Sequence, residues 1–304
     1  MSLEALQKRI KTTQDLRDIV STMKSLSSVS ILQYEQANKS LKEYKSILKD
    51  GIHALIRTGK LKLPPTPKNL EQQKTLAIII GSDNGLVGRF NKELIDFAKK
   101  TLSGEGHNIS DCAFISIGKR IASIAENQKL NLKAKYAVSN SIKVVGSIAS
   151  TVIMRIEEAV RNEHFSRVIV FYHKQNATSS SVKSKVLLPF STDAYARLSK
   201  EPWATNNIPL ITMPPQKLTS VLVQEILMTV LSSAITSSLA AEHRTRMINM
   251  QNAEKNIDEN LEKLNHIYQQ ERQEDITDEL IDVISGSEAI HKSKKGLDLS
   301  FNLC

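Results

Sequence analysis

Cysteine is nearly missing: Cys112 and Cys304 are the only 2 in 304 residues. A secreted scaffold stapled by disulfides needs more, so a reduced compartment is the expectation. Aromatic residues are sparse at 5%. Globular cores draw much of their bulk from aromatics, whereas long helices built on Leu, Ile and Met need fewer. Acidic residues are outnumbered, 32 against 41 basic ones, for a net charge of +9. That balance points to acidic partners. No basic segment precedes an apolar one at the N-terminus, so no signal peptide is expected. No uninterrupted apolar run reaches the roughly 18 residues of a membrane span. Membrane association is therefore expected only through a partner.

The most informative absence is local. Neither Gly nor Pro occurs from Met1 to Asp50 or from Gln216 to Ser285, and these are the residues that punctuate helices. At about 1.5 Å per residue, such runs reach roughly 75 and 105 Å. A compact domain of this chain length measures only about 40–50 Å, so both helices are expected to leave a globular body. All prolines but Pro189 fall in two short stretches, Pro64, Pro65 and Pro67, then Pro202, Pro209, Pro214 and Pro215. Proline lacks an N–H and pushes the preceding residue out of the helical region. The resulting map is an N-terminal helix over 1–58, a linker over 59–74, a globular domain over 75–200, a linker over 201–215, a C-terminal helix over 216–290 and a tail over 291–304.

The first helix carries an apolar stripe at Leu3, Leu6, Ile10, Leu16, Val20 and Met23. The stripe resumes at Ile31, Tyr34, Ala37, Leu41, Tyr44, Leu48, Ile52 and Leu55, with Thr13 and Ser27 as polar interruptions. Steps of three and four mark a coiled coil. The last helix is dense at Leu218, Val221, Leu222, Ile226, Leu227, Val230, Leu231, Ala234 and Ile235. It thins to Met247, Met250, Ile257, Leu261, Leu264 and Tyr268, and ends with Ile276, Leu280 and Val283. Gly286 either stops it or is carried within it. Flanking one domain, the two helices are expected to pair antiparallel, the longer one projecting unpaired at its far end.

Between them, Thr75–Gly81, Cys112–Gly118 and Arg167–Tyr172 read as strands, with Val182–Phe190 a further candidate. Phe90–Leu102, Lys119–Gln128 and Ile142–Arg161 read as helices. Alternation with apolar strands implies a mostly parallel, Rossmann-like sheet covered on both faces. The expected fold class is thus α/β: a long antiparallel two-helix coiled coil plus a central Rossmann-like domain.

Catalytic signals are weak. Gly81, Gly85 and Gly88 in GSDNGLVGRFN follow a strand and precede a helix, where a phosphate turn would sit. Their spacing is neither G-x-G-x-x-G nor that of a P-loop, and a tight turn explains them better. The histidines lack zinc-ligand spacing and read as surface or helix-face residues. No G-x-S-x-G elbow occurs. Lys292, Lys294 and Lys295 make a solvated tail rather than a nucleic-acid patch. No catalytic residue, cofactor or metal site is expected. The alternative function is a nucleotide-binding α/β protein with a coiled-coil adaptor role.

Three segments are similar to one known family. SSLAAEHRTRMINMQNAEKNIDENLEKLN followed by RQEDITDELIDVISGSEAI resembles the gamma subunits of F-type ATP synthases. Ser238, Glu242, Arg246, Met247, Met250, Ala253 and Asn256 match that pattern in register, as do Arg272, Gln273, Ile276, Thr277, Glu279, Leu280 and Gly286. Arg9, Ile10, Met23 and Lys24 in RIKTTQDLRDIVSTMKSLSS fit its N-terminal frame, and GSDNGLVGRFN resembles its G-S-D-x-G-L-C-G-x-x-N. Val87 replaces the common Cys, Asn249 the usual Ala, and Leu26, Ser27 and Ser28 a region richer in Met, Val and Ala. The chain also continues beyond Ala289. These departures suit a divergent branch.

The resemblance implies a non-catalytic rotor shaft. It would stand in a ring of three alpha and three beta subunits, with its foot on the epsilon subunit and the membrane c-ring. It would couple ion flow, H⁺ or Na⁺, to ATP chemistry at alpha/beta sites. It implies Arg272, Gln273 and Thr277 as contacts to beta catch loops, and Met23, Lys24, Arg246 and Met247 as contacts near mobile beta elements. It implies a peripheral location on the cytoplasmic face of a bacterial plasma membrane, and no nucleic-acid partner.

Overall fold

The computed structural model describes residues 2–59, 74–138, 141–175, 180–190, 192–203, 207 and 210–300, with side chains for all of these except 192–195 and 288–300. Most of the 59–74 linker, part of the second linker and the end of the tail lie outside the described residues. Among the described residues, six α-helices and five strands follow in the order α1 (Leu3–Arg57), β1 (Thr75–Ile80), α2 (Phe90–Gly104), β2 (Ala113–Ile117), α3 (Lys119–Asn127), β3 (Leu132–Tyr136), α4 (Val145–Asn162), β4 (Arg167–Gln175), β5 (Ser180–Leu188), α5 (Thr192–Lys200) and α6 (Pro215–Ser300). The chain divides into two compact units, residues 24–249 and residues 1–23 with 250–304.

In the larger unit a single sheet runs β3-β2-β1-β4-β5. β1 pairs parallel with β2 and β4, β2 parallel with β3, and only β5 runs antiparallel, along β4. Every residue of β1 is buried, which is why its sequence shows no alternation. Its side chains still divide by parity. Leu76, Ile78 and Ile80 join a layer with α4 and with Leu231, Ala234, Ile235 and Leu239 of α6. Ala77 and Ile79 join a second layer with Leu94 and Ala98 of α2 and Ile121 of α3. Each large side chain so buried contributes about 1.5–3 kcal/mol.

α1 and α6 are antiparallel in this unit. Gly51 lies against Leu222, Tyr44 donates to Glu225 at 3.1 Å, and Arg244 donates to Glu35 at 3.4 Å, so one number falls as the other rises. In the smaller unit Leu6, Thr13 and Leu264 are buried and Arg17 pairs with Asp258.

Three expectations change. Leu16 is half exposed; the seven-residue spacing that links Leu3, Ile10 and Ile31 passes through Arg17 and Lys24 instead. A polar seam position is tolerated where a partner satisfies it, as Asp258 does for Arg17. β3 and α5 were not foreseen: β3 is an edge strand that alternates half-buried and exposed residues, too short and Lys-rich to stand out. Third, α6 holds a window of mean hydropathy 1.6 that by length and composition could cross a membrane, although no uninterrupted apolar run is that long. The densely apolar stretch of α6 carries Leu231, Ile235 and Leu239, which are buried against the sheet. Gly286 is carried within α6, which continues to Ser300.

Candidate functional site

The loop that follows β1 folds onto itself. The Ser82 N–H donates to Asn91 Oδ1 at 2.9 Å, Asn91 Nδ2 donates to Ser82 Oγ at 2.8 Å, and Ser82 Oγ donates to the Asn84 carbonyl at 2.8 Å. Asp83 Oδ1 accepts from the backbone N–H groups of Lys119 at 2.7 Å and Val138 at 3.0 Å. Lys119 begins α3, so this carboxylate occupies the anion position that a helix N-terminus offers. A Cβ at Gly81 would collide with Asn91 and Ile121. The glycine serves close packing, and the turn closes on its own side chains rather than forming an open phosphate cradle.

α6 reaches this loop from the other side. Ser238 Oγ donates to the carbonyl of Ile80, the last residue of β1, at 2.8 Å. Asn249 Nδ2 donates to the Leu86 carbonyl at 3.0 Å. Arg246 donates to Glu242 Oε1 at 2.6 Å and reaches the Gly85 carbonyl at 3.5 Å. Val87 and Phe90 pack on Ala241. Ser238, Glu242 and Arg246 are spaced by four, which puts them on one helix face, and that face meets the loop. Leu86 holds a left-handed φ of 65° and Gly88 one of 57°, which turn the chain back toward α2.

His173 of β4 locks the assembly. Its Nε2 lies 3.0 Å from the Phe90 carbonyl and therefore carries the proton. Its ring stacks on Phe90 with centroids 3.7 Å apart. Burial pushes its pKa down to about 4, so it is neutral. His243 is likewise pushed down to about 4 by burial and by Arg246; it stacks on Tyr34 with centroids 5.6 Å apart. Burial, with a smaller contribution from Glu242, raises the Tyr34 hydroxyl to about 12. Burial also raises the Glu242 carboxyl above the usual carboxylate range, against the pull of Arg246. Both members of the ion pair are buried, so desolvation offsets much of its attraction.

The residues expected to touch partners do not share one environment. Arg246 is buried and engaged within the chain. Met23, Lys24 and Met247 are half-buried. Arg272, Gln273 and Thr277 are exposed on α6, where Thr277 Oγ1 donates to the Gln273 carbonyl at 2.7 Å. Ile276, Leu280 and Val283 are exposed on the same segment. Ser82, Asp83 and Asn91 lie in the GSDNGLVGRFN motif but carry no individual role in the sequence reading, and His173 was missed. His173 read as a surface or helix-face residue, yet it sits buried in a strand; the apolar run RVIVFY leading into it was the available signal.

A family profile described as ATP synthase matches residues 2–290. The ATP synthase gamma chain of Bdellovibrio bacteriovorus is 26% identical over 294 residues, covering 95% of this chain and 99% of the relative. That of Streptococcus mutans is 28% identical over 299 residues, with the same coverage. Among solved structures, a chain of the Euglena gracilis mitochondrial ATP synthase, OSCP/F1/c-ring, superposes with a TM-score of 0.61 at 16% identity, covering 96% of each chain. A chain of the Tetrahymena thermophila mitochondrial ATP synthase central stalk/c-ring superposes with a TM-score of 0.54 at 19% identity, covering 77% of this chain and 99% of that one.

Proposed function

The chain belongs to the ATP synthase family as a gamma chain, the central rotor shaft of the complex, and from that premise we propose how its parts divide the work. The observation that carries the reading is the fastening of α6 to the sheet. Two of the three segments that resemble the family pattern, Gly81–Asn91 and the start of the C-terminal one, meet here: Arg246 and Asn249 reach the Gly85 and Leu86 carbonyls, and Ser238 binds Ile80 at the end of the strand that leads into the loop. A shaft passes torque only if its globular part cannot slip against its rod. Directional bonds between strand end, loop and helix resist slip, most of all the buried bond of Ser238, because breaking it strands polar groups away from water.

The rod itself performs no chemistry. One asymmetric helix pair inside a ring of three alpha and three beta subunits presents a different face to each beta site. The three sites are thereby held in different states, and rotation permutes them. Exposed Arg272, Gln273 and Thr277 meet beta catch loops, and Met23, Lys24 and Met247 lie near the mobile beta elements. Arg246 serves inside the chain, as part of the fastening. The exposed apolar residues Ile276, Leu280 and Val283 suit a greasy bearing whose contacts are individually weak. Epsilon and the c-ring hold the foot, so the chain is peripheral on the cytoplasmic face of the membrane.

Co-expression of alpha and beta subunits with and without this chain tests the reading. A stable three-plus-three-plus-one complex with multisite ATP turnover only when the chain is present is the expected result. Alpha and beta subunits that neither bind it nor gain activity would overturn it.

A further inference from the structure

Within residues 24–249, a cavity of 620 Å³ opens among α1, β4, β5 and α6. Its wall carries Lys42 and Lys45 from α1, Lys174 from β4, Lys185 from β5 and Arg244 from α6, with Glu35 as the one carboxylate among the described residues. The lining charge is therefore 5 − 1 = +4. Glu35 is already engaged by Arg244. Among the described residues no carboxylate pairs with Lys42, Lys45, Lys174 or Lys185.

Lys45 and Lys185 are the telling pair. Lys185 is half-buried, and its ammonium is pushed down to about 8, first by burial and then by the charge of Lys45. Two neighbouring cations in one cavity wall repel, and an anion bound beside both offsets the repulsion while gaining charge-assisted hydrogen bonds. Asn38, Ser233 and Ser237 add polar groups to the same wall, and Arg244 supplies the planar fork suited to phosphate oxygens. The volume falls in the range of small-molecule sites, about 300–1,000 Å³.

We propose that this cavity binds a soluble oligophosphate anion between Lys45, Lys185 and Arg244. The site is separate from the loop that follows β1, and it does not depend on the rotor reading. Occupancy would bridge α1, the β4–β5 hairpin and α6 through one ligand, stiffening the part of the chain that holds the long helix.

The test is titration of the full chain with sodium pyrophosphate and, separately, tripolyphosphate, followed by calorimetry and thermal melting at low salt. Saturable binding that raises the melting temperature, and that weakens with added salt, is expected. The Lys45→Gln/Lys185→Gln double variant should melt higher than wild type without ligand and bind pyrophosphate at least about tenfold more weakly. Lys100→Gln, an exposed change on α2, should behave as wild type. Should the double variant not fold, Lys45→Gln at its exposed position carries the same comparison. No saturable binding by wild type at millimolar pyrophosphate overturns the proposal and leaves the basic wall as a docking face for an acidic protein segment. Equal binding by wild type and variant overturns it as well.

Discussion

Ser238 of α6 donates its hydroxyl proton to the carbonyl of Ile80 at 2.8 Å. Ile80 ends the central strand, and its carbonyl faces the helix where the sheet's own hydrogen-bond ladder runs out. The long helix thus completes the hydrogen bonding of the strand. Ser238 is 1% exposed, so water cannot stand in for it. Ser238→Ala should lower stability by about 1–3 kcal/mol, the cost of a buried acceptor left unpaired. A shift in urea midpoint at unchanged slope measures it, and no shift would remove Ser238 from the fastening.

Glu242 and Arg246 behave as a unit. Arg246→Ala leaves a buried carboxylate alone and should cost about 3–5 kcal/mol, whereas replacing both by Leu and Met should cost much less than the two single losses added together. A double-mutant cycle reads the coupling. Additive losses would mean that the pair is not the connection its 2.6 Å contact indicates.

Gly118 has φ +122°, and a Cβ there would lie 2.8 Å from the carbonyl oxygens of both Gly81 and Ser82. Those are backbone atoms of the loop and cannot rotate aside. Gly118→Ala combines strain with collision and should destabilise by more than the roughly 1–3 kcal/mol typical of an unfavourable backbone conformation. Chemical denaturation of the variant checks this; a loss below 1 kcal/mol would show that the loop can move.

The buried histidines set a pH dependence. His173 and His243 fall from 6.5 to about 4 in the fold, so both are neutral above pH 6.5 in either state and their contribution is complete there. Between about pH 6.5 and 4 the unfolded chain takes protons that the folded one refuses, and stability is lost as pH falls through that window, on the order of 3 kcal/mol for each group. Glu242 works in the opposite sense: its raised carboxyl favours the fold at low pH and loses that contribution as pH rises through its folded pKa. The two histidines outweigh the single carboxylate, so stability should fall from pH 7 to pH 4.5. His173→Phe should flatten the decline, and an equally steep profile in that variant would exclude His173 as its source.

Gln273 is exposed on α6, and it is its backbone carbonyl, not its side chain, that accepts from Thr277 Oγ1 at 2.7 Å. Gln273→Ala should change the stability of the chain by less than about 0.5 kcal/mol, permit assembly, and modestly weaken coupling in reconstituted complexes. Loss of the assembled complex would refute the assignment.

The long helices, the strand positions in Thr75–Ile80 and Ala113–Ile117, and the mostly parallel sheet were legible because each follows from local pattern: missing Gly and Pro, steps of three and four, continuous apolar runs. The exposed candidates Arg272, Gln273 and Thr277 came from the resemblance. Arg246 looked the same in sequence and lies inside, since neighbours distant in the chain decide whether a helical arginine meets solvent or a buried glutamate. His173 and Asp83 carried no periodic signature, because each acts through one or two bonds to remote backbone.

What the amino-acid order determined by itself is the plan: two uninterrupted rods around an alternating domain, set by backbone propensity and hydrophobic spacing that any local stretch already contains. What only the tertiary structure decided is where that plan is made rigid. The choice of Arg17 over Leu16 for the seam, the closure of the glycine turn by Asp83 and Asn91, and the bonding of Ser238 to Ile80 all join residues far apart in the chain. Burial and hydrogen-bond geometry exist only after those segments meet, and the same contacts that satisfy their polar groups hold the rod to the sheet.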